Sequence, residues 1–426
     1  MENYKKLKKQ LDGLIGKIKF SPNSNLKLER IIHLLKILDN PQDKFSSIHV
    51  GGTSGKGSTS TMISYIFQEA GYKTGLHVSP YLQVINEDFQ INNSLVSSSK
   101  LLKLMDKVMP AIEQVAKESP FGKPSYFEAK VALAFLLFAE EKVDIAIIEV
   151  GLGGRLDATN VLNSKVAVLT NVGLDHTAIL GNTIEKIITD KAGIIKPNQI
   201  VISGVTQPSA KKIVADKAQK TGAKLLQYNQ DFQIIPNLEI GMLGDFQQVN
   251  AACAVEAVQA FSNQKVTDQQ IKTGIEKAKI PGRMEIIQEN PLVILDGAHN
   301  QDKMTALVTS LKKKYPDKKW LTVVAFKEDK DADEMLRILA QNSETIIATE
   351  FHGTPLWGSY KVEEIEKKIT IQNPSIEVLL NSNPIEAVNK ALELAKNKEN
   401  TLVLVTGSLY LIGNVRKYWY PIEELL

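Results

Sequence analysis

The chain of 426 residues contains one cysteine, Cys253. A single thiol excludes a disulfide framework and a cysteine-built zinc site, which fits a reducing compartment. Its place in the apolar run NAACAVEAVQAF reads as core, the usual setting of a free cysteine. Long hydrophobic runs are also lacking: none approaches the roughly 18 residues of a membrane helix, and the N-terminus is polar. These features lead us to expect a cytoplasmic protein with neither signal peptide nor membrane span. Charge of one sign is scarce too, since 51 Lys+Arg against 48 Asp+Glu leave a net charge of only +3. Without a basic stripe interleaved with aromatics, an extended nucleic-acid surface is excluded, and the KKLKK run near the start reads as a solvated helix face.

What is present is alternation. LKLERIIHLLKIL has helical apolar spacing, FSSIHVGG reads as a strand, and Ser58 to Gly71 as the helix that follows. KTGLHVS, VDIAIIEV and SKVAVLTNV are further short apolar strands, with helices near Ser98 to Ala116 and over FEAKVALAFLLFAEEK between them. A second series, LVILDGAHN, KWLTVVAF, ETIIATE and NTLVLVTGS, follows the Pro- and Gly-containing segment KIPGRMEIIQENP. The alternation predicts two α/β domains with mostly parallel sheets, over residues 1–280 and 291–426, joined by a hinge at 281–290 that contains Pro281 and Gly282.

HVGGTSGKGSTS links a strand to a helix through four glycines and Lys56. Backbone N–H groups and the helix N-terminus would receive an anion there, and the lysine adds a mobile charge for the β- and γ-phosphates. The usual ATPase loop has Ser or Thr directly after Gly-Lys, whereas Gly57 intervenes here and the hydroxyls arrive at Ser58 and Thr59. EVGLGGRLDATN places Glu149 at a strand's carboxyl end, and TNVGLDHT places Asp175 and His176 at another. A carboxylate, an imidazole and a hydroxyl, completed by nucleotide oxygens, make a mixed Mg²⁺ site, although a strand-end histidine alone is more often bonded to backbone.

With these motifs in hand, the chain resembles the folylpolyglutamate and dihydrofolate synthases of the Mur ligase superfamily. SYFEA, EVGLGGRLDATN, GLDHTAILG, KAGIIK, PGRME, DGAHN, EDKD and TGSLYL carry the resemblance in order, and Gly57 marks the folate branch. It implies a two-domain Mur-ligase-like α/β fold: an N-terminal mostly parallel sheet of the P-loop ATPase type and a smaller C-terminal Rossmann-like domain. It also implies that Gly55, Lys56, Gly57 and Ser58 hold the ATP phosphates. Ser79, Glu149, His176 and a carbamylated Lys191 would hold Mg²⁺, and a monovalent cation is compatible with the site. Asn250, Arg283 and Asp296 would contact the nucleotide, with His299 and Ser408 approaching from the second domain. Lys56, Lys191 and His299 would carry the catalysis. Tyr126, Phe127, Arg155 and Asp157 would line the pterin side.

The reaction so implied phosphorylates a carboxylate of folate or dihydropteroate with ATP, and L-glutamate's amine then displaces phosphate, all in a monomer. Simpler readings remain for some residues: Asn250 as an exposed helix position, Phe127 as core, Lys191 as a helix-end lysine. Two other functions stay open, an amide ligase for a non-folate carboxylate and a nucleotide-binding protein without ligase activity. The departures from the family pattern fall mainly on the acceptor side. Tyr81 stands for His and Asp88 for Arg, while Phe246 replaces His, Asp190 replaces Glu, Ser54 replaces Asn and Leu356 replaces Arg.

Overall fold

The computed structural model describes residues 1–15, 27–352, 358–396 and 398–426. The first sheet takes β1 (Ser46–Gly51), β2 (Thr74–His77), β3 (Gln90–Ile91), β4 (Ser94–Leu95), β5 (Ile145–Glu149), β6 (Val166–Leu169), β7 (Ile200–Ser203) and β8 (Lys224–Gln227). Their spatial order is β4-β3-β2-β5-β1-β6-β7-β8. The six strands from β2 across to β8 run parallel, and β3 and β4 add an antiparallel edge. The parallel strands are short and apolar because helices cover both faces, which leaves almost no polar side to alternate.

The second sheet takes β9 (Glu285–Gln288), β10 (Leu292–Leu295), β11 (Lys319–Val324), β12 (Thr345–Ala348), β13 (Glu377–Leu380) and β14 (Thr401–Thr406), ordered β13-β12-β11-β14-β10-β9. Only β9 is antiparallel to its neighbour. Within the stretch expected as the hinge, Glu285–Gln288 thus form an edge strand. The fold class is the one the motifs implied.

Each expected strand is present, and the helix after the loop runs from Lys56 to Glu69, two residues ahead of the predicted start. Cys253 is buried against the face of the central sheet, and burial pushes its thiol up to about 12. The helix Glu2–Asp12 buries Tyr4, Leu7 and Leu11 and leaves most of its lysines in water, as an amphipathic face requires. Among the described residues no helix is long and apolar enough to cross a membrane.

This topology decides where a ligand goes. β1 lies between β5 and β6, so successive connections leave it in opposite directions and a crevice opens at the carboxyl ends of these strands. The loop after Gly51, Glu149 at the end of β5, the segment 170–176 after β6, and Ser79 after β2 all emerge there.

Candidate active site

The phosphate loop is held from behind by the segment after β6. Asn171 Oδ1 accepts from the amides of Thr53 and Ser54 at 3.2 and 2.8 Å, and Thr170 Oγ1 donates to the Ser54 carbonyl at 2.6 Å. Gly55 is the helix N-cap at φ 79°, and a Cβ there would lie 2.3 Å from Asn250 Oδ1. Both the left-handed backbone and the close approach require glycine. At Gly57 a Cβ would lie 3.2 Å from Ile280 and 3.5 Å from Glu149 Oε2, so the added glycine keeps the loop open toward the carboxylate.

Lys56 Nζ lies 4.0 Å from Glu149 Oε1, and the Ser79 amide donates to Glu149 Oε2 at 3.2 Å. Burial raises the Glu149 carboxyl above its usual range, with Lys56 opposing. Lys191 is buried and donates to the Gly52 carbonyl at 3.0 Å. Burial, and then the neighbouring Lys56 ammonium, lower it to about 7. His176 sits in the left-handed region at φ 51° with its ring half-exposed, 3.9 Å from Asp175. Burial lowers its imidazole.

Among the described residues no three His, Cys, Asp or Glu side chains form a metal cluster. The donor set still fits a hard cation: one buried carboxylate, one serine hydroxyl, and an amine easily made neutral, the form that takes up CO₂ to become an anionic carbamate. Substrate phosphate oxygens would supply the remaining ligands. Ser58 Oγ instead accepts from Gln247 at 3.3 Å, and Gln247 in turn accepts from Asn250 Nδ2 at 2.8 Å. Asn250 is therefore buried and buttresses the loop, which removes its reading as an exposed helix residue.

The second domain faces this crevice. Asp296 Oδ2 accepts from the Met284 amide and Oδ1 from the Ala298 amide, both at 2.8 Å, so it fixes the strand end that carries Arg283 and His299. The His299 Nδ1 donates to Gly297 O at 2.7 Å, and burial with Lys303 lowers the ring to about 3. Ser408 Oγ caps the helix Leu409–Val415 through the Tyr410 amide.

Among the residues expected on the pterin side, Phe127 sets its ring edge against Gly151, where a Cβ would meet it at 2.4 Å. Asp157 is spent within its own loop, accepting from Leu152 N at 2.8 Å and from Thr159 N at 3.0 Å. Arg155 Nε lies 3.7 Å from Asp190 with its side chain 65% exposed. Lys130 Nζ lies 5.2 and 5.6 Å from the ring centroids of Tyr126 and Tyr81. The same Lys130 pairs with Asp88, and both side chains are buried. The departures Tyr81 and Asp88 thus form one unit with Lys130. Phe246 is 40% exposed beside Gly244 and Met284, and Leu356 lies outside the described residues.

Sequence reasoning missed Lys130, Lys303 and the role of Lys330. Lys303 lies in the first turn of the helix Gln301–Lys314, and His299 stands just before that helix's N-cap, Asn300.

With this geometry in place, comparison with known proteins is decisive. Residues 279–418 match the model for the dihydrofolate synthetase C-terminal domain, and 50–233 that for the Mur ligase middle domain. The dihydrofolate synthase/folylpolyglutamate synthase of Bacillus subtilis is 32% identical, with 94% of this chain and 96% of that one covered. The chain belongs to the folylpolyglutamate synthase/dihydrofolate synthase family. The Lacticaseibacillus casei folylpolyglutamate synthase is 33% identical over 91% of this chain and 93% of its own. The Mycobacterium tuberculosis folylpolyglutamate synthase complexed with ADP and AMPPCP superposes with a TM-score of 0.90 at 26% identity, covering 98% of both chains. The E. coli FolC complex with DHPP and ADP gives 0.85 at 28%, covering 97% of both. Both solved relatives therefore hold a nucleotide on this family fold.

Proposed function

We propose that this chain is an ATP-dependent ligase that adds L-glutamate to a folate, and to dihydropteroate as well, acting as a monomer. In this reading residues 1–280 bind ATP and the pteridine substrate, 291–426 form the glutamate-ligase part, and 281–290 join them.

The observation that supports it best is the meeting of Lys56 and Glu149 from the first domain with His299 and Lys303 from the second around one crevice. The loop amides and Lys56 receive the triphosphate, and Lys56 stabilises charge on the transferring phosphoryl group. The γ-phosphoryl passes to the substrate carboxylate, giving an acyl phosphate and ADP. Glutamate's neutral amine then attacks the acyl carbon, the new C–N bond forms, phosphate leaves with the acyl C–O bond's electrons, and the amine's lost proton ends on the released phosphate. Ser79, Glu149, His176 and carbamylated Lys191 would hold Mg²⁺, which would neutralise phosphate charge. The neutral His299 keeps one further cation away from the incoming amine, and the two-domain cleft keeps water from the acyl phosphate.

The test is ADP release with dihydropteroate, tetrahydrofolate or its monoglutamate, each with and without glutamate. Glutamate-dependent release with at least one of them is expected. ATP binding without any such turnover would overturn the proposal, and turnover only on non-folate carboxylates would move the chain to a different ligase class.

A further inference from the structure

Lys303 reaches from one domain into the wall of the other. It lies in the first turn of the helix Gln301–Lys314, where Asn300 Oδ1 accepts from its amide at 3.0 Å. Its Nζ is 3.1 Å from His299 Nε2 and 3.5 Å from Asp175 Oδ2. Because His299 Nδ1 donates its proton to Gly297 O, Nε2 carries the lone pair and can accept from the Lys303 ammonium. Asp175 belongs to the segment after β6, which also braces the phosphate loop through Asn171 and Gly173.

The rest of the junction agrees. Lys330 Nζ, also from the second domain, approaches the other Asp175 oxygen at 3.8 Å. A Cβ on Gly173 would lie 3.4 Å from Asp302 Oδ2, so the start of this helix rests on the loop's brace. Burial would raise the Asp175 carboxyl, but Lys303, His176 and Lys330 together hold it well below the usual range.

We propose that Lys303 is a positioning residue: by joining Asp175 of the first domain to His299 of the second, it sets the catalytic imidazole relative to the phosphate loop. The step it serves is the ligase reaction proposed above, on which this inference rests. Asp175 already neutralises the lysine, so its main contribution is geometric rather than attraction of the nucleotide. Lys303→Met should then lower kcat on the order of tenfold to a hundredfold, the scale of a misplaced reacting group. Affinity for a non-hydrolysable ATP analogue should change by less than about threefold, since the loop contacts remain. Asp175→Asn should give a similar kcat loss, and the double variant should be no worse than the poorer single one, because both cut the same bridge.

Amide hydrogen exchange provides an arm independent of turnover: both single variants should speed exchange in segments 171–176 and 297–303 together, with the remaining core protected as in the wild type. Lys303→Gln serves if the methionine variant does not fold. The proposal is overturned by a kcat within about twofold of wild type, by losses that multiply in the double variant, or by a loss seen only as weaker ATP binding. Unchanged exchange in the two segments overturns it as well, even if the ligase reading itself fails.

Discussion

The two edges of the crevice are built on different principles. The edge proposed to take the nucleotide is backbone: residues 51–58 are contiguous, glycines open the space, and Lys56 follows from that frame at the start of the helix. The edge proposed to take the acceptor is side-chain pairing over long range, where Asp88, before β3, pairs with Lys130 from the helix Tyr126–Glu141, beside the rings of Tyr81 and Tyr126. A backbone site can be changed at one side chain with loss of chemistry and little loss of fold. A buried charge pair behaves in the opposite way, since each partner is the other's solvent.

The largest expected effect lies on the nucleotide edge. Lys56→Ala should cost on the order of a hundredfold to a thousandfold in kcat/KM, as removal of a charge-stabilising donor does, with the thermal midpoint unchanged. Turnover within about tenfold of wild type would mean that the loop does not serve the transferring phosphoryl group.

Lys191 tests the same edge at its chemical extreme. Its amine, lowered to about 7 by burial and Lys56, is the form that captures CO₂, so wild type should retain isotopically labelled carbon dioxide at this side chain by NMR. Lys191→Ala should lose that signal and most activity, and acetate should restore part of the activity by placing a carboxylate where the carbamate stood. Full activity in the alanine variant would reduce Lys191 to a structural lysine.

The same contrast explains what could be read in advance. The mostly parallel sheets were implied by short apolar runs separated by helices, because parallel strands covered on both faces cannot alternate. Gly55, Lys56, Glu149 and His176 could be placed at strand ends because such motifs are contiguous. Asp88 was visible as a departure from the family pattern, but its partner was not, since nothing local in FEAKVALAF distinguishes a buried lysine from a solvated one. Asn250 was ambiguous for the same reason: its buttressing of Gly55 depends on a helix packed almost two hundred residues away in sequence. Lys303 alone had a local signal, its nearness in sequence to the DGAHN motif that holds His299.

A smaller effect, now on stability, belongs to the acceptor edge. In urea unfolding at about pH 8, where Asp88 is ionised in wild type, Lys130→Met should destabilise the chain by about 3–5 kcal/mol, because Asp88 is left buried without its cation. Combining it with Asp88→Asn should recover much of that loss. If Lys130→Met costs less than about 1 kcal/mol, the pair is not what holds this edge together.

The smallest effect is a pH slope, and its sign follows from Asp88. Burial pushes this carboxyl up to about 7 although Lys130 opposes, whereas an unfolded aspartate titrates near ~3.9. Between those values the folded chain holds a proton that the unfolded chain has released. The stability from this group is therefore fully present below the unfolded value and is lost as pH rises through about 7, with a slope of at most about 1.4 kcal/mol per pH unit. Asparagine does not titrate, so the stability of wild type relative to Asp88→Asn should fall between about pH 5 and about pH 8. The subtraction removes every other group that titrates alike in both chains. A flat difference would mean that Lys130 keeps Asp88 ionised throughout, and that the acceptor edge is an ion pair whose attraction exceeds its cost of burial.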